Sequence, residues 1–200
     1  MEATMNKIVK LLITTPIILS LISSCASSGL MSRMSHSERN DVFTEPLAEE
    51  VVPAGYADVV MKASIKTPLP GYYVLEPKRS LNYLFLINID GQAVTWKVEG
   101  HRNSMPEYVD GKTNYDPEGG DGMKYVLQKT IRLEAGSHRL FFGLPEESYY
   151  KTVDISVKSG GLYYLEFKPE YRYKTAPTRI PTFLEGLNDF EIVFKEITRQ

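Results

Sequence analysis

Residues 152–168 read TVDISVKSGGLYYLEFK. Val153, Ile155 and Val157 alternate with Thr152, Asp154, Ser156 and Lys158. After Ser159-Gly160-Gly161 the alternation restarts, with Tyr163, Leu165 and Phe167 set against Tyr164, Glu166 and Lys168. A period of two puts successive side chains on opposite faces of an extended chain, whereas an amphipathic helix needs apolar residues three and four apart. The glycines between the two runs mark a reversal. Two strands joined by a turn, each with one apolar face, is the reading this stretch dictates.

The same pattern continues in both directions. Upstream, Ile131 and Leu133 precede a turn at Ala135-Gly136, and Leu140, Phe142 and Leu144 follow it. Further upstream, Val59, Met61, Ala63 and Ile65 share one face of DVVMKASIKT, while Val60, Lys62, Ser64 and Lys66 share the other. The run LNYLFLINI (Leu81–Ile89) is apolar on both faces, as a central strand would be. Asp90-Gly91 then supplies the strongest hairpin signal in the chain, because a type I′ turn needs positive φ at both positions. Val94, Trp96 and Val98 alternate on the return strand, which makes Trp96 a core residue. Downstream, Phe190, Ile192 and Phe194 close the pattern. About eight strands with one apolar face each are most simply buried as two facing sheets. The expected fold is all-β: an antiparallel β-sandwich over residues 56–200.

One stretch breaks the alternation. Residues 99–122, EGHRNSMPEYVDGKTNYDPEGGDG, are polar and rich in Gly and Asp, and read as a long loop. Loops of that length inside a compact domain commonly carry function.

The segment Ile131–Phe167 resembles the PEGA-type module and related small lipoprotein domains with prealbumin-like sandwiches. The likeness is carried by Ile131 and Leu133 before Gly136, and by Val153, Ile155 and Val157 before Gly160-Gly161 and Tyr163. It covers about a fifth of the chain and implies a sandwich and, by analogy of fold alone, an accessory or binding role in the cell envelope.

The N-terminus has a different character. Lys7 and Lys10 precede the uncharged apolar run Leu11–Ile22. As a helix that run spans roughly 18 Å, short of the ~30 Å bilayer core, and Pro16 interrupts it. A positive start, a short apolar stretch and small residues after it describe a secretory signal peptide over residues 1–24. ISSC (Ile22–Cys25) resembles the lipobox of bacterial lipoproteins. That resemblance implies cleavage before Cys25, palmitate-type acylation of its thiol and amino group, and anchorage to a membrane. Ala26 and Ser27 stand where an aspartate would resemble an inner-membrane retention signal, which favours the outer membrane, facing the periplasm. Cys25 is the single cysteine, so a structural disulfide is excluded; a leader that leaves a free thiol is the alternative. Residues 25–55, rich in Ser and mixed charge, read as the lipidated cysteine and a flexible tether with a reach of ~30 Å.

Composition narrows the function classes. The 200 residues carry 23 Lys and Arg against 25 Asp and Glu, so no electrostatic footprint for nucleic acid exists. The three histidines, His36, His101 and His138, lie far apart in sequence, and no nucleophile elbow, zinc-protease helix or phosphate-binding loop accompanies them. A non-enzymatic chain without a cofactor is the expectation. In the 99–122 stretch, Asn114, Asp116 and Glu118 faintly echo a calcium loop, but position twelve is Tyr125 rather than a bidentate glutamate. Asp110, Asp116, Glu118 and Asp121 remain weak candidates for a hard cation. Tyrosine is frequent, with 13 residues, and Tyr149, Tyr150, Tyr164, Tyr171 and Tyr173 cluster in the second half. Of these Tyr164, Tyr171 and Tyr173 are the expected contact surface, since amphipathic rings suit protein or sugar partners. The expected function is a non-catalytic, membrane-anchored envelope lipoprotein that presents its sandwich to an envelope protein partner. The alternative is a glycan- or peptidoglycan-binding module that uses the tyrosines and the 99–122 loop.

Overall fold

The computed structural model describes residues 29–47, 50–72, 81–106, 108–113, 115–173 and 182–198. The expected signal peptide and Cys25 lie outside them. The chain folds as an all-β sandwich of two sheets; among the described residues one short α-helix, α1, covers residues 29–34, and two 3-10 turns cover Pro145–Glu147 and Thr182–Glu185. In chain order the strands are β1 (Phe43–Thr44), β2 (Tyr56–Thr67), β3 (Asn82–Ile89), β4 (Gln92–Glu99), β5 (His101–Met105), β6 (Tyr108–Val109), β7 (Lys112–Thr113), β8 (Gly120–Glu134), β9 (Gly136–Leu144), β10 (Tyr149–Val157), β11 (Leu162–Tyr171) and β12 (Leu187–Glu196). The larger sheet runs β1-β8-β2-β11-β12 with β5 also on β8, and the smaller runs β10-β9-β3-β4.

The alternating faces meet between the sheets. Val59, Met61, Ala63 and Ile65 from β2, Leu165 and Phe167 from β11, and Leu140 and Phe142 from β9 are all buried in one core. Phe142 stacks on Phe167 across it, ring centroids 4.0 Å apart. Asp90 and Gly91 make the expected hairpin turn, with φ of 47° and 95°. Trp96 is buried and its indole N–H donates to Glu45 at 2.9 Å.

Three expectations need correction. First, the pairing is mixed, because β2 and β11 run parallel from Asp58/Leu162 to Ala63/Phe167. Pro169 lies two residues past the end of that ladder, where a missing N–H costs nothing. Second, the 99–122 stretch is not one loop. His101–Met105 pairs with Gly120–Lys124, which lengthens β8 at its start, and among the described residues between them a two-stranded hairpin, β6–β7, forms. β5 is polar because it is the exposed edge strand here, while the start of β8 lies inside it with Gly120, Gly122 and Met123 buried.

Third, residues 29–45 are docked, not a free tether. Met31 on α1 is buried against Leu86 and Phe141 on the outer face of the smaller sheet. Gly143 makes the room: a Cβ there would stand 2.6 Å from the Met31 sulfur. From α1 the chain runs along β4. The Asn88 side chain donates to Met34 O, and the Ser37 hydroxyl donates to Ala93 O while accepting from Ala93 N. Gln92 then clasps Val42 and Phe43 through three hydrogen bonds before β1 pairs with β8. This strap covers the apolar outer face of β3, which explains why Leu81–Ile89 is apolar on both sides. Among the described residues no helix is long and apolar enough to cross a membrane.

Candidate functional site

Three of the acidic candidates, Asp116, Glu118 and Asp121, and one of the tyrosines, Tyr171, converge at one end of the sandwich, around a lysine. Lys66 ends the outward-facing set of β2, yet its side chain is buried. Its ammonium donates to Asn103 Oδ1 at 3.0 Å, to Glu118 O at 2.6 Å and to Gly120 O at 2.8 Å. Phe183 lies under it, 4.8 Å from charge to ring centroid. Gly122 admits the arm, since a Cβ there would meet Lys66 Cε at 2.9 Å. Burial pushes the Lys66 pKa below the ordinary lysine value, while the Glu118 carboxylate works against that shift. All three N–H donors are used, so the group is a brace between the end of β2 and the start of β8.

Glu118 joins this brace to β11. Its carboxylate accepts from the Tyr171 hydroxyl at 2.7 Å and pairs with Lys124. The same hydroxyl accepts the Lys66 backbone N–H at 2.8 Å. Burial, with Glu118 beside it, drives the Tyr171 pKa far above that of an ordinary phenol. Tyr171 is therefore an internal cross-link, not the contact residue expected from sequence. Its parity with Tyr163, Leu165 and Phe167 carried that signal.

The four acidic candidates do not make a cation site. Asp110 sits at the tip of the β6–β7 hairpin with φ of 51°, away from the others. Asp121 pairs with Arg102, Asp116 accepts the Glu118 N–H at 2.8 Å, and Glu118 is held as described. Among the described residues no three His, Cys, Asp or Glu side chains gather as metal ligands. The positive charge that the Glu118 and Gly120 carbonyls receive comes from Lys66.

A second brace was also missed by sequence reading. Asp58 and Arg132 face each other across β2 and β8 and are both buried, with Arg132 Nε donating to Asp58 Oδ1 at 2.8 Å. The Asp58 carboxylate raises the Arg132 pKa. His138 is likewise engaged, Nδ1 lying 2.8 Å from Asp90 Oδ2 and Nε2 2.8 Å from Glu134 O. His36 contacts Ser32 O through Nδ1, and His101 is exposed on β5. The three do not come together.

Two surface features remain at the braced end. A groove of about 720 Å³ is lined by Lys168, Glu170, Tyr171, Arg172, Tyr173 and Asn188, among others. Tyr173 is 73% exposed there, while Tyr171 forms part of the wall. Tyr164 is not part of it. It sits at the opposite end of β11, with Lys195 Nζ 5.5 Å from its ring centroid. The second feature is the β6–β7 hairpin, a two-stranded sheet of its own. Val109 on it is 49% exposed, and Tyr115 just after it is 78% exposed. Neither a protein family nor a curated protein nor a solved structure matches the chain.

Proposed function

We propose that this chain is a lipid-anchored envelope protein whose non-catalytic sandwich holds out a contact surface for a protein partner. The observation that carries the reading is the β6–β7 hairpin, a separate two-stranded unit that presents Val109 and Tyr115 to solvent. An exposed apolar side chain on the hairpin and an exposed aromatic one just after it suit the buried centre of a protein contact, where aromatic anchors carry most of the binding energy. The polar groups nearby are engaged inside the fold, the Lys66 ammonium by Asn103 Oδ1 and the Glu118 and Gly120 carbonyls, and the Glu118 carboxylate by Tyr171 and Lys124.

Anchorage rests on Cys25 and its lipobox-like context. Gly29, which is docked with α1, follows Cys25 by only four residues at no more than about 3.6 Å each, so the sandwich would be held close to the headgroups. Two or more acyl chains give firm retention, at ~0.8 kcal/mol per buried CH₂.

The test is capture from solubilised membranes by the intact chain and by a Val109→Asp/Tyr115→Ala variant. One dominant protein retained by the intact chain and lost with the variant supports the reading, and equal capture by both overturns it. A second reading, glycan binding, is favoured by the exposed Tyr173 ring amid polar groove residues. Retention on cell-wall sacculi that Tyr173→Ala removes would support it, and no retention of the intact chain would dismiss it.

A further inference from the structure

The outer edge of β12 offers a surface of a different kind, beyond the partner contact proposed above. Among the described residues β12 pairs only with β11. Its hydrogen-bonding alternation follows from one contact: the Ile197 N–H donates to Leu162 O at 2.8 Å. Odd-numbered residues of β12 therefore bond to β11, and the main-chain groups of Phe190, Ile192, Phe194 and Glu196 point to the open side.

The first of these positions is sealed. Phe190 N–H donates to Asp189 Oδ1 at 2.7 Å, and Lys151 Nζ donates to Phe190 O at 2.6 Å. Lys151 also pairs with Asp189 at 2.8 Å, so a side chain from the opposite sheet plugs that end of the edge. No such plug covers Ile192, Phe194 or Glu196 among the described residues. Ile192 and Phe194 are moreover half-buried apolar residues, so the open stretch has an apolar inner row. On the other flank β8 carries β1 and β5, and Ser37 fills the main-chain groups of Ala93 on β4. An open edge of this sort is a template for another strand.

The geometry points to a second copy of this chain as the occupant, with the two β12 strands antiparallel about a two-fold axis at Val193. That register is chosen by charge and by main-chain geometry together. It sets Ile192 and Phe194 of one copy opposite Phe194 and Ile192 of the other, as mutually hydrogen-bonded pairs. It sets Val193 against Val193 as a non-hydrogen-bonded pair. It also places Glu191 of each copy opposite Lys195 of the other, twice over. Glu191, now 3.4 Å from Lys168 of its own chain, would then stand between two lysines. Directly opposed unlike charges favour a register, and like charges oppose it. Moving the axis to Ile192 would set Glu191 opposite Val193 and carry the sealed Phe190 into the ladder opposite Phe194, whereas the Val193 axis leaves Phe190 facing Glu196 only at its ends. Moving it to Phe194 would set Val193 opposite Lys195 and leave Glu191 unmatched. The two larger sheets become one continuous sheet across the axis, a contact that uses the same patch on both copies.

Cysteine cross-linking of the purified full chain in detergent reads the register. Val193 Cα atoms would be about 4.5 Å apart, inside the range a disulfide accepts. Val193→Cys is expected to give a disulfide-linked dimer under mild oxidation, above the level of the parent chain, whose only thiol is Cys25. Glu191→Cys and Lys195→Cys are each expected to stay near parent level, while the double variant links. Glu191→Lys should lower Val193→Cys linkage several-fold, and adding Lys195→Glu should restore it. Val193→Cys at parent level, or Glu191→Cys alone linking as well as Val193→Cys, would overturn the inference. None of these readouts depends on the β6–β7 hairpin or on acylation.

Discussion

Tyr171→Phe removes a single oxygen, and the structure sets what that costs. The hydroxyl donates to the Glu118 carboxylate at 2.7 Å and accepts the Lys66 N–H at 2.8 Å, at a residue only 4% exposed. A hydrogen bond to a charged group contributes about 1.5–3 kcal/mol, and a buried donor left without an acceptor costs about 1–3 kcal/mol. Lys124 keeps part of the Glu118 charge paired, so the two costs overlap and about 3 kcal/mol is expected. For a domain of this size that is a fall in Tm of about 6–12 °C. Urea unfolding followed by tyrosine and tryptophan fluorescence measures it directly. Tyr173→Phe is the control, because its 73% exposed ring should lose its hydroxyl within about 0.5 kcal/mol of no change. Equal, small effects at both positions would refute the argument, for they would mean that Tyr171 is a surface residue after all.

Lys66→Met leaves the Glu118 and Gly120 carbonyls and Asn103 without their buried donor, and should destabilise by about 1–3 kcal/mol in the same unfolding assay. Met31→Asp places a charge against Leu86 and Phe141, and should free the strap. Trypsin would then cut after Arg33 and Arg39 several-fold faster than in the parent, while the sandwich itself remains resistant. The Asp189 carboxyl is held down at about 2 by Lys151 first and by Tyr149 second. Because its folded pKa lies below the unfolded value, its contribution is present above pH 4 and is lost as the pH falls toward 2. The stability difference between the parent and Asp189→Asn should therefore shrink across that window, and a constant difference would contradict the assignment.

Much of this fold was written in local patterns, and the exceptions share a cause. Thr152–Lys158 and Tyr163–Lys168 alternate without fault, and Asp90-Gly91 turns as its residue types require. The parallel pairing of β2 with β11 joins residues about a hundred positions apart and leaves no local mark. Lys66 obeys the alternation of β2 in direction but not in exposure, because the β7–β8 approach and Phe183 cover that corner of the sheet. Leu86 showed the reverse case: its apolar outer face announced a cover, and the cover proved to be Met31 from a stretch whose serines and mixed charge suggested a tether. The acidic cluster was legible as a cluster. That its cation would be a lysine was not, since Lys66 lies about fifty residues upstream.

The measurement that bears most directly on the proposed role is mass spectrometry of the N-terminal peptide of the chain recovered from membranes. The account predicts a mature chain that begins at Cys25 and carries acyl groups on its sulfur and its amino group. A Cys25 peptide with a free thiol, or a mature chain that begins elsewhere, would contradict it.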